Sequence, residues 1–407
     1  MIFSRREFLA SAGSLAVVGA FGKPLKIGKS IVIAHISDVH VSQMCETDEI
    51  RKVVGEINGD SEIDFVVVTG DLQNRGQLSE MLTAKSWYDL IEKPKALCPG
   101  NHEMQYAGSR ENWKKTFGEA SGRWRFAGVP VYGVDSTPPG YQASGFFRAD
   151  EMAALTGRLI DDDARGAPLA VFLTHYSPTP ECANWWLLPQ AIKKAGVENA
   201  LILSGHIHQF MAWSWEGYLG FAARALKVNK RHAGRKGSGY VKLTIEPGGR
   251  VLAQERIVGE PADNPEWDLL LKYGANEKRK DVSRPKVKPV PVPEGAFDVV
   301  ETGVFKYPEF PPPFTDEEVR LRKRLSKELS RKYRNFRVSP CCRELSLNGI
   351  VYVPGSRGLL VAVDEKTREV LRSVVCGSSS LCRLDKAPNG VRVALAEGRS
   401  FTLKEVR

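Results

Sequence analysis

Five short motifs gather most of the reactive side chains of this chain: SDVH at 37–40, TGDLQN at 69–74, PGNHE at 99–103, THY at 174–176 and GHIH at 205–208. They contribute Asp38, Asp71 and Asn101 together with His40, His102, His175, His206 and His208. Histidine is scarce, 7 residues in 407, and five of the seven stand in these motifs. Carboxylate, amide and imidazole donors in that number suffice for two cations if one carboxylate is shared. Asp71 is the best candidate for the bridge, and His102 is left over as an uncoordinated acid or base beside the site. Two divalent ions roughly 3.5 to 4 Å apart clamp a phosphoryl group and lower the pKa of bound water toward about 7, which makes hydroxide available at neutral pH. Mixed imidazole and carboxylate ligation suits Mn, Fe, Zn or Ni.

The elements that must carry these residues are equally legible. Ile31 to Ile36 precedes Asp38, Phe65 to Val68 precedes Asp71, and Ala96 to Cys98 precedes Asn101. Leu169 to Leu173 precedes His175, and Leu201 to Leu203 precedes His206. Short apolar, β-branched runs bounded by Gly, Pro or polar residues read as strands buried on both faces. Every candidate residue then lies just past the carboxyl end of a strand, the edge at which open α/β sheets bind ligands. Asp38 and His40 are two apart, as are His206 and His208, so each pair projects to one side if the backbone stays extended. His35 has the opposite parity and reads as core or as support behind the site.

In order and spacing these motifs resemble the calcineurin-like metallophosphoesterase superfamily, whose pattern is DxH, GD, GNH with an acidic residue, a lone His, then GHxH. The resemblance extends over residues 31–257. It implies an α/β fold of two packed mixed β-sheets flanked by helices. It assigns one metal to Asp38, His40, Asp71 and His208, and the other to Asp71, Asn101, His175 and His206. To His102 it assigns the leaving-group proton. Within the superfamily, VDSTPPGYQASGFFRADEMAAL and the close ALKVNKRHAGRKGSGYVKLTIEPGGRVLAQERIV look like the class III cyclic nucleotide phosphodiesterase branch. That branch usually carries GNHD and often a HisHis pair, where this chain has Glu103 and Tyr176. GDLQNRG approaches the GDxxDRG element of serine/threonine protein phosphatases, with Asn74 in place of Asp. Arg75 and Asn74 are therefore candidate substrate contacts, the guanidinium being suited to bidentate phosphate binding. Trp185 and Trp186 follow His175 and could stack a base or fill core.

Residues 1–22 read as a twin-arginine signal peptide: Ser4, Arg5, Arg6, Glu7, Phe8 and Leu9, followed by ASAGSLAVVGAFG. The apolar run is too short for a membrane span and fits a secretory core segment, with Val18, Gly19 and Ala20 before cleavage near Phe21. The expected address is periplasmic or extracellular. The formal charge of +10 favours anionic surroundings or substrates and is silent about fold.

Residues 29–260 are expected to form the catalytic domain, 261–339 a Pro/Lys-rich linker and basic helix, and 340–407 a small antiparallel β module. Residues 278–313 alternate Lys/Arg with Pro and read as an extended linker. Thr315 with Glu318 makes a capping box, and Phe314 with Val319 a hydrophobic staple. The helix that follows carries Leu321, Leu325, Leu329, Tyr333 and Phe336 on one stripe. Its other faces, rich in Arg and Lys from 320 to 337, suit solvent, an acidic partner or an anionic surface. NGIVYVPGSRGLLVAVDEKTREVL resembles one repeat of a quinoprotein-type β-propeller, with NGVRVALAEGRSFTL as a fainter echo, too little to close a propeller. Of seven cysteines, Cys98 reads as an inert core thiol, while Cys341, Cys342, Cys376 and Cys382 cluster where an oxidising envelope permits a disulfide. The expected function is an exported dinuclear-metal phosphoesterase. The alternatives are a nuclease that uses the basic tail and a catalytically inactive binding protein of the same fold.

Overall fold

The computed structural model describes residues 27–137 apart from 42 and 106–107, and 145–260 apart from 179–181, 183–184, 216–217, 230–235 and 248. It also describes 316–376 apart from 334–335, 337, 340–341 and 356–357, and 381–405 apart from 389 and 396–398, with short strands at 19–20, 268–270 and 297–304. The strands are β1 (Gly19–Ala20), β2 (Ile31–Ile36), β3 (Phe65–Thr69), β4 (Lys95–Cys98), β5 (Arg123–Phe126), β6 (Val129–Gly133) and β7 (Ala170–Leu173). They continue with β8 (Ala200–Ser204), β9 (Met211–Trp215), β10 (Tyr218–Ala222), β11 (Lys227–Val228), β12 (Gly237–Ile245) and β13 (Arg250–Ile257). Between them lie helices α1 (Thr47–Gly59), α2 (Leu78–Tyr88), α3 (Ser109–Phe117), α4 (Ala149–Asp161) and α5 (Leu187–Lys194).

Two mixed sheets result. One runs β1-β13-β12-β2-β3-β4 with β11 on β12, and its β2, β3 and β4 are parallel. The other runs β5-β6-β7-β8-β10-β9 with β6, β7, β8 and β10 parallel. Alternating side chains bury both faces of each central strand, as the period of two requires. Ile31, Ile33, Phe65 and Val67 meet Val171, Leu173, Leu201 and Leu203 between the sheets. Val32, Ala34, Val66 and Val68 face Ile50, Val53, Met81 and Trp87 of α1 and α2. Phe172 and Ile202 face Leu155, Leu159, Leu188 and Ile192 of α4 and α5. The chain thus stacks helix, sheet, sheet, helix, the expected fold class, and sets the carboxyl ends of both parallel runs along one edge.

Further along, β14 (Asp268–Leu270) extends the first sheet from β13, and β15 (Phe297–Val304) pairs with β22 (Arg399–Glu405). The second pairing corrects the linker expectation for 278–313. Residues 297–304, FDVVETGV, are β-branched and free of proline, and their partner strand lies far along the chain. Helix α6 (Asp316–Lys332) precedes β16 (Leu345–Leu347), β17 (Ile350–Pro354), β18 (Leu359–Asp364), β19 (Val370–Val375), β20 (Leu381–Ala387) and β21 (Gly390–Leu395). These complete two four-stranded antiparallel sheets, β15-β22-β21-β20 and β16-β17-β18-β19. Leu325 and Leu329 seat α6 against Val351, Val353, Val361 and Val363, with Leu321 partly buried beside them; Tyr333 and Phe336, expected on the helix, follow its end at Lys332 and join the same cluster. Arg322 is buried and donates to the carbonyls of Cys342 and Ser339 and to Glu344, which pins the helix to the chain that follows it.

Gly19 and Ala20, expected at the end of a leader, pair with Val251 and Arg250 of β13. The arginine pair at 5–6, the capping box at Thr315, the staple residue Phe314, and His232 lie outside the described residues. Cys342 and Cys376 are buried, Cys341 is not described, and Cys98 is a buried thiol pushed well above its usual range by burial. Among the described residues, no helix is long and apolar enough to cross a membrane.

Candidate metal centre

The loops after β2, β3 and β4 meet those after β7 and β8. The first sheet supplies Asp38, His40, Asp71, Asn101 and His102; the second supplies His175, His206 and His208. One ligand atom from each of Asp38, His40, Asp71 and His208 lies within 4.8 Å of the others, and the same holds for Asp71, His175 and His206. Asn101 joins the second group, its Oδ1 being 2.9 Å from His175 Nε2 and 3.0 Å from His206 Nδ1. All seven residues expected to be ligands therefore converge, in two sets that share Asp71.

They do not converge through extended backbone, as the parity argument assumed. Asp38, His40, Asp71, His206 and His208 have φ of 50°, 45°, 53°, 69° and 55°. Each strand is turned sharply at its carboxyl end, and hydrogen bonds between the loops hold the turns. Asp38 N–H donates to Gly70 O at 3.1 Å and His40 N–H to Asp71 O at 2.9 Å. Glycine permits the close approach. A Cβ on Gly100 would strike the Asp71 carboxylate, and one on Gly205 would strike Ser37 Oγ.

Each carboxylate is held by one oxygen and presents the other. Asp38 Oδ2 accepts from Ser37 Oγ at 2.7 Å and from His206 N–H at 3.0 Å, so that Oδ1 lies 3.2 Å from His208 Nε2. Asp71 Oδ1 accepts from His102 N–H at 2.9 Å. Asp71 Oδ2 then stands 3.6 Å from His40 Nε2 and 3.4 Å from His175 Nε2. His40 Nε2 and His208 Nε2 face each other at 3.2 Å, and buried Asp38 Oδ1 has no hydrogen-bond donor. Lone pairs aimed at one another across a buried space suit a cation between them, so the donor set fits the divalent ions that the motifs imply.

The charges follow from this packing. Burial opposes ionisation of Asp38, yet the neighbouring His208 holds its carboxyl down to about 2. Asp71 lies well below the usual carboxylate range against the same burial cost, through His175 and His102. Burial lowers His40 to about 4 and His206 to about 3, which keeps both imidazoles neutral and able to donate a lone pair. His175 rises to about 9 despite burial because Asp71 faces it. Its Nδ1 donates to Thr69 O at 2.8 Å, which orients Nε2 toward Asp71. His35, buried between the sheets, bonds Thr69 Oγ1 at 2.9 Å and stands behind the site.

Several supporting residues escaped the sequence reading. Ser37 fixes Asp38, and Ser136 Oγ accepts the N–H groups of His175 and Tyr176 at 3.1 Å. Glu103 is buried, and its carboxylate accepts from the N–H groups of Asp71, Leu72, Gln73 and Gly100. Burial and the Asp71 charge push it up to about 7 while those four donors favour its charged form. Its acidic type within PGNHE was the available signal. Asn74 acts through its backbone: its carbonyl is 2.7 Å from His102 Nδ1. Arg75 is exposed, and its N–H is held by Gln73 and Glu80. Trp186 is core, while Trp185 packs beside it, partly buried. His102 and His208, with side chains 18% and 33% exposed, mark where solvent reaches the otherwise buried site.

Residues 31–210 match the family described as calcineurin-like phosphoesterase. Over this segment the chain is similar to a calcineurin-like phosphoesterase domain. The chain is 28% identical over 172 residues to glycerophosphodiester phosphodiesterase GpdQ of Enterobacter lignolyticus, an alignment covering 37% of this chain and 58% of that protein. It is 25% identical over 186 residues to a protein of Vesicomyosocius okutanii named "Probable cyclic nucleotide phosphodiesterase", covering 43% and 75% of the two chains. This chain thus spans little more than half the length of the first of these relatives. Among solved structures it is similar to a conserved uncharacterized protein of Streptococcus pneumoniae described as a predicted phosphoesterase, with 14% identity, a TM-score of 0.31, and coverage of 56% of this chain and 90% of that one.

Proposed function

We propose that this protein hydrolyses phosphodiesters at a centre of two divalent cations held by Asp38, His40, Asp71 and His208 on one side and Asp71, Asn101, His175 and His206 on the other. The observation that carries this reading is the shared Asp71, whose Oδ2 faces both donor sets while Oδ1 is tied to the His102 N–H. The names of the two relatives support a diester over a monoester. When bound, the cations supply Lewis acidity toward the phosphoryl oxygens and lower the pKa of the attacking water. The chain's own residues do the rest. Asp38 and Asp71 provide negative charge that neutral His40 and His206 do not, and their outer oxygens are locked, so that little reorganisation accompanies binding. The water loses one proton to solvent and its oxygen forms a bond to phosphorus opposite the ester oxygen that leaves, as the bond to that oxygen breaks. That oxygen departs with its bonding electron pair and takes a proton from His102 Nε2, which stands 4.0 Å from Asp71 Oδ2 at the solvent edge. The twin-arginine pattern at residues 4–9 supports export to the cell envelope, and replacing Arg5 and Arg6 with Lys should abolish it; unchanged export would sink that part.

The test is hydrolysis of bis(4-nitrophenyl) phosphate by the Mn-loaded protein, with bound metal counted. Asp71→Asn should lose both ions together with turnover. Turnover that survives both chelation and Asp71→Asn would overturn the reading.

A further inference from the structure

His102 is held from behind in a way that the motifs do not describe. Its Nδ1 lies 2.7 Å from the Asn74 carbonyl oxygen. The Gln105 side-chain nitrogen lies 2.8 Å from the same oxygen and 2.9 Å from His102 Nδ1. A carbonyl oxygen has lone pairs and no proton, so the hydrogen between it and Nδ1 belongs to the imidazole. The Gln105 amide must face the carbonyl with its NH₂, since its own oxygen at that distance would be repelled. Both lone pairs of Asn74 O are then occupied by N–H groups. Gln105 is 3% exposed and stands three residues beyond His102 in the same turn, so it has little freedom to point elsewhere. Gln73 closes the arrangement from the other side: its Oε1 accepts from the N–H groups of Arg75 and Gly76, and its Nε2 donates to His102 O at 3.1 Å. The loop carrying the Asn74 carbonyl is thereby braced against the turn that carries His102.

We infer that Gln105 is a positioning residue for leaving-group protonation: through the Asn74 carbonyl it holds His102 by its Nδ1–H, so that the second proton of the doubly protonated ring, on Nε2, is turned to the phosphoester and its transfer to the departing oxygen leaves the Nδ1–H tautomer. The inference rests on the reading of His102 as proton donor given above. A neutral carbonyl fixes the tautomer without adding negative charge behind the ring, and because a carbonyl cannot follow a swinging side chain, the second donor on it matters. Losing Gln105 leaves the ligand atoms in place and frees the imidazole to rotate away from the departing oxygen.

The experiment is a series of aryl methyl phosphodiesters of rising leaving-group pKa, hydrolysed by wild type, His102→Ala and Gln105→Met, or Gln105→Leu if the first folds poorly. The readout is the slope of log kcat/KM against leaving-group pKa, with bound metal counted for each protein. A good leaving group departs unprotonated and a poor one needs the proton, so His102→Ala should depress the poorest substrate about a hundredfold relative to the best. Gln105→Met should depress the same ratio about tenfold with the wild-type metal content. A steeper slope for His102→Ala but a wild-type slope for the Gln105 variants, or loss of bound metal in them, would overturn the inference and leave the His102 reading standing. A wild-type slope for His102→Ala would overturn both.

Discussion

Left-handed backbone occurs in two settings in this molecule. In the C-terminal sheets, Asn348 and Gly349 have φ of 52° and 74° and join Leu347 of β16 to Ile350 of β17 by a two-residue turn. Asn-Gly is the pair that such a turn prefers, because both positions need positive φ and the twist then matches the strands. At the metal centre the same region is occupied by Asp38, His40, Asp71, His206 and His208. For a residue with a β-carbon the conformation costs roughly 1–2 kcal/mol, least for Asn and Asp. The hairpin therefore uses residues chosen for their backbone, whereas the metal centre uses residues chosen for their side chains and holds the backbone by stitching loop to loop.

The sharpest way to break this contrast is His208→Gly. It should cost at least about a hundredfold in kcat/KM, since loss of a supporting partner alone costs 10–100-fold, while the melting temperature, compared between the two metal-free proteins, stays level or rises because glycine relieves the strain. A fall in melting temperature would show that no strain is held at this position. Next in size is chelation. Removing an ion present at about a hundred times its Kd should lower stability by about 2.7 kcal/mol. Amide hydrogen exchange should quicken in the loops after β2, β3 and β8 and stay unchanged at 345–376; equal quickening in both regions would erase the distinction. Ser37→Ala removes the hydroxyl on Asp38 Oδ2 and should weaken metal affinity about tenfold, measured by competition with a chelating dye. The smallest change expected is Gly349→Ala, which should destabilise the protein by about 1 kcal/mol with kcat/KM unaltered. Reduced turnover there would tie the hairpin to the catalytic half.

Much of the site was legible because each ligand follows a strand buried on both faces, and the alternation of apolar residues identifies such strands locally. Asp38, Asp71, His175 and His206 were found by that rule. The backbone reversal at these residues was not legible, since hydrogen bonds such as Asp38 N–H to Gly70 O come from a different strand. Nor were Ser37 and Ser136, whose hydroxyls look like ordinary loop polarity until their partners are in place. Asn74 stands out in the sequence for its side chain, but it meets His102 and Gln105 through its carbonyl, which every residue type carries. Strand β15 was read as linker because its setting is rich in proline and lysine, and its pairing with β22 depends on residues about a hundred positions away.

On the proposed two-cation reading, the distribution of donors between the sheets also has a consequence for assembly. The first sheet alone carries three members of one donor set, Asp38, His40 and Asp71, while the other set draws His175 and His206 from the second sheet. A chain in which only the first sheet has formed could retain one cation loosely, but it could not gather two. Uptake of the second cation would then time the moment at which the two halves of the sandwich close on each other, and a stopped-flow metal indicator would record it as a folding step rather than a binding step.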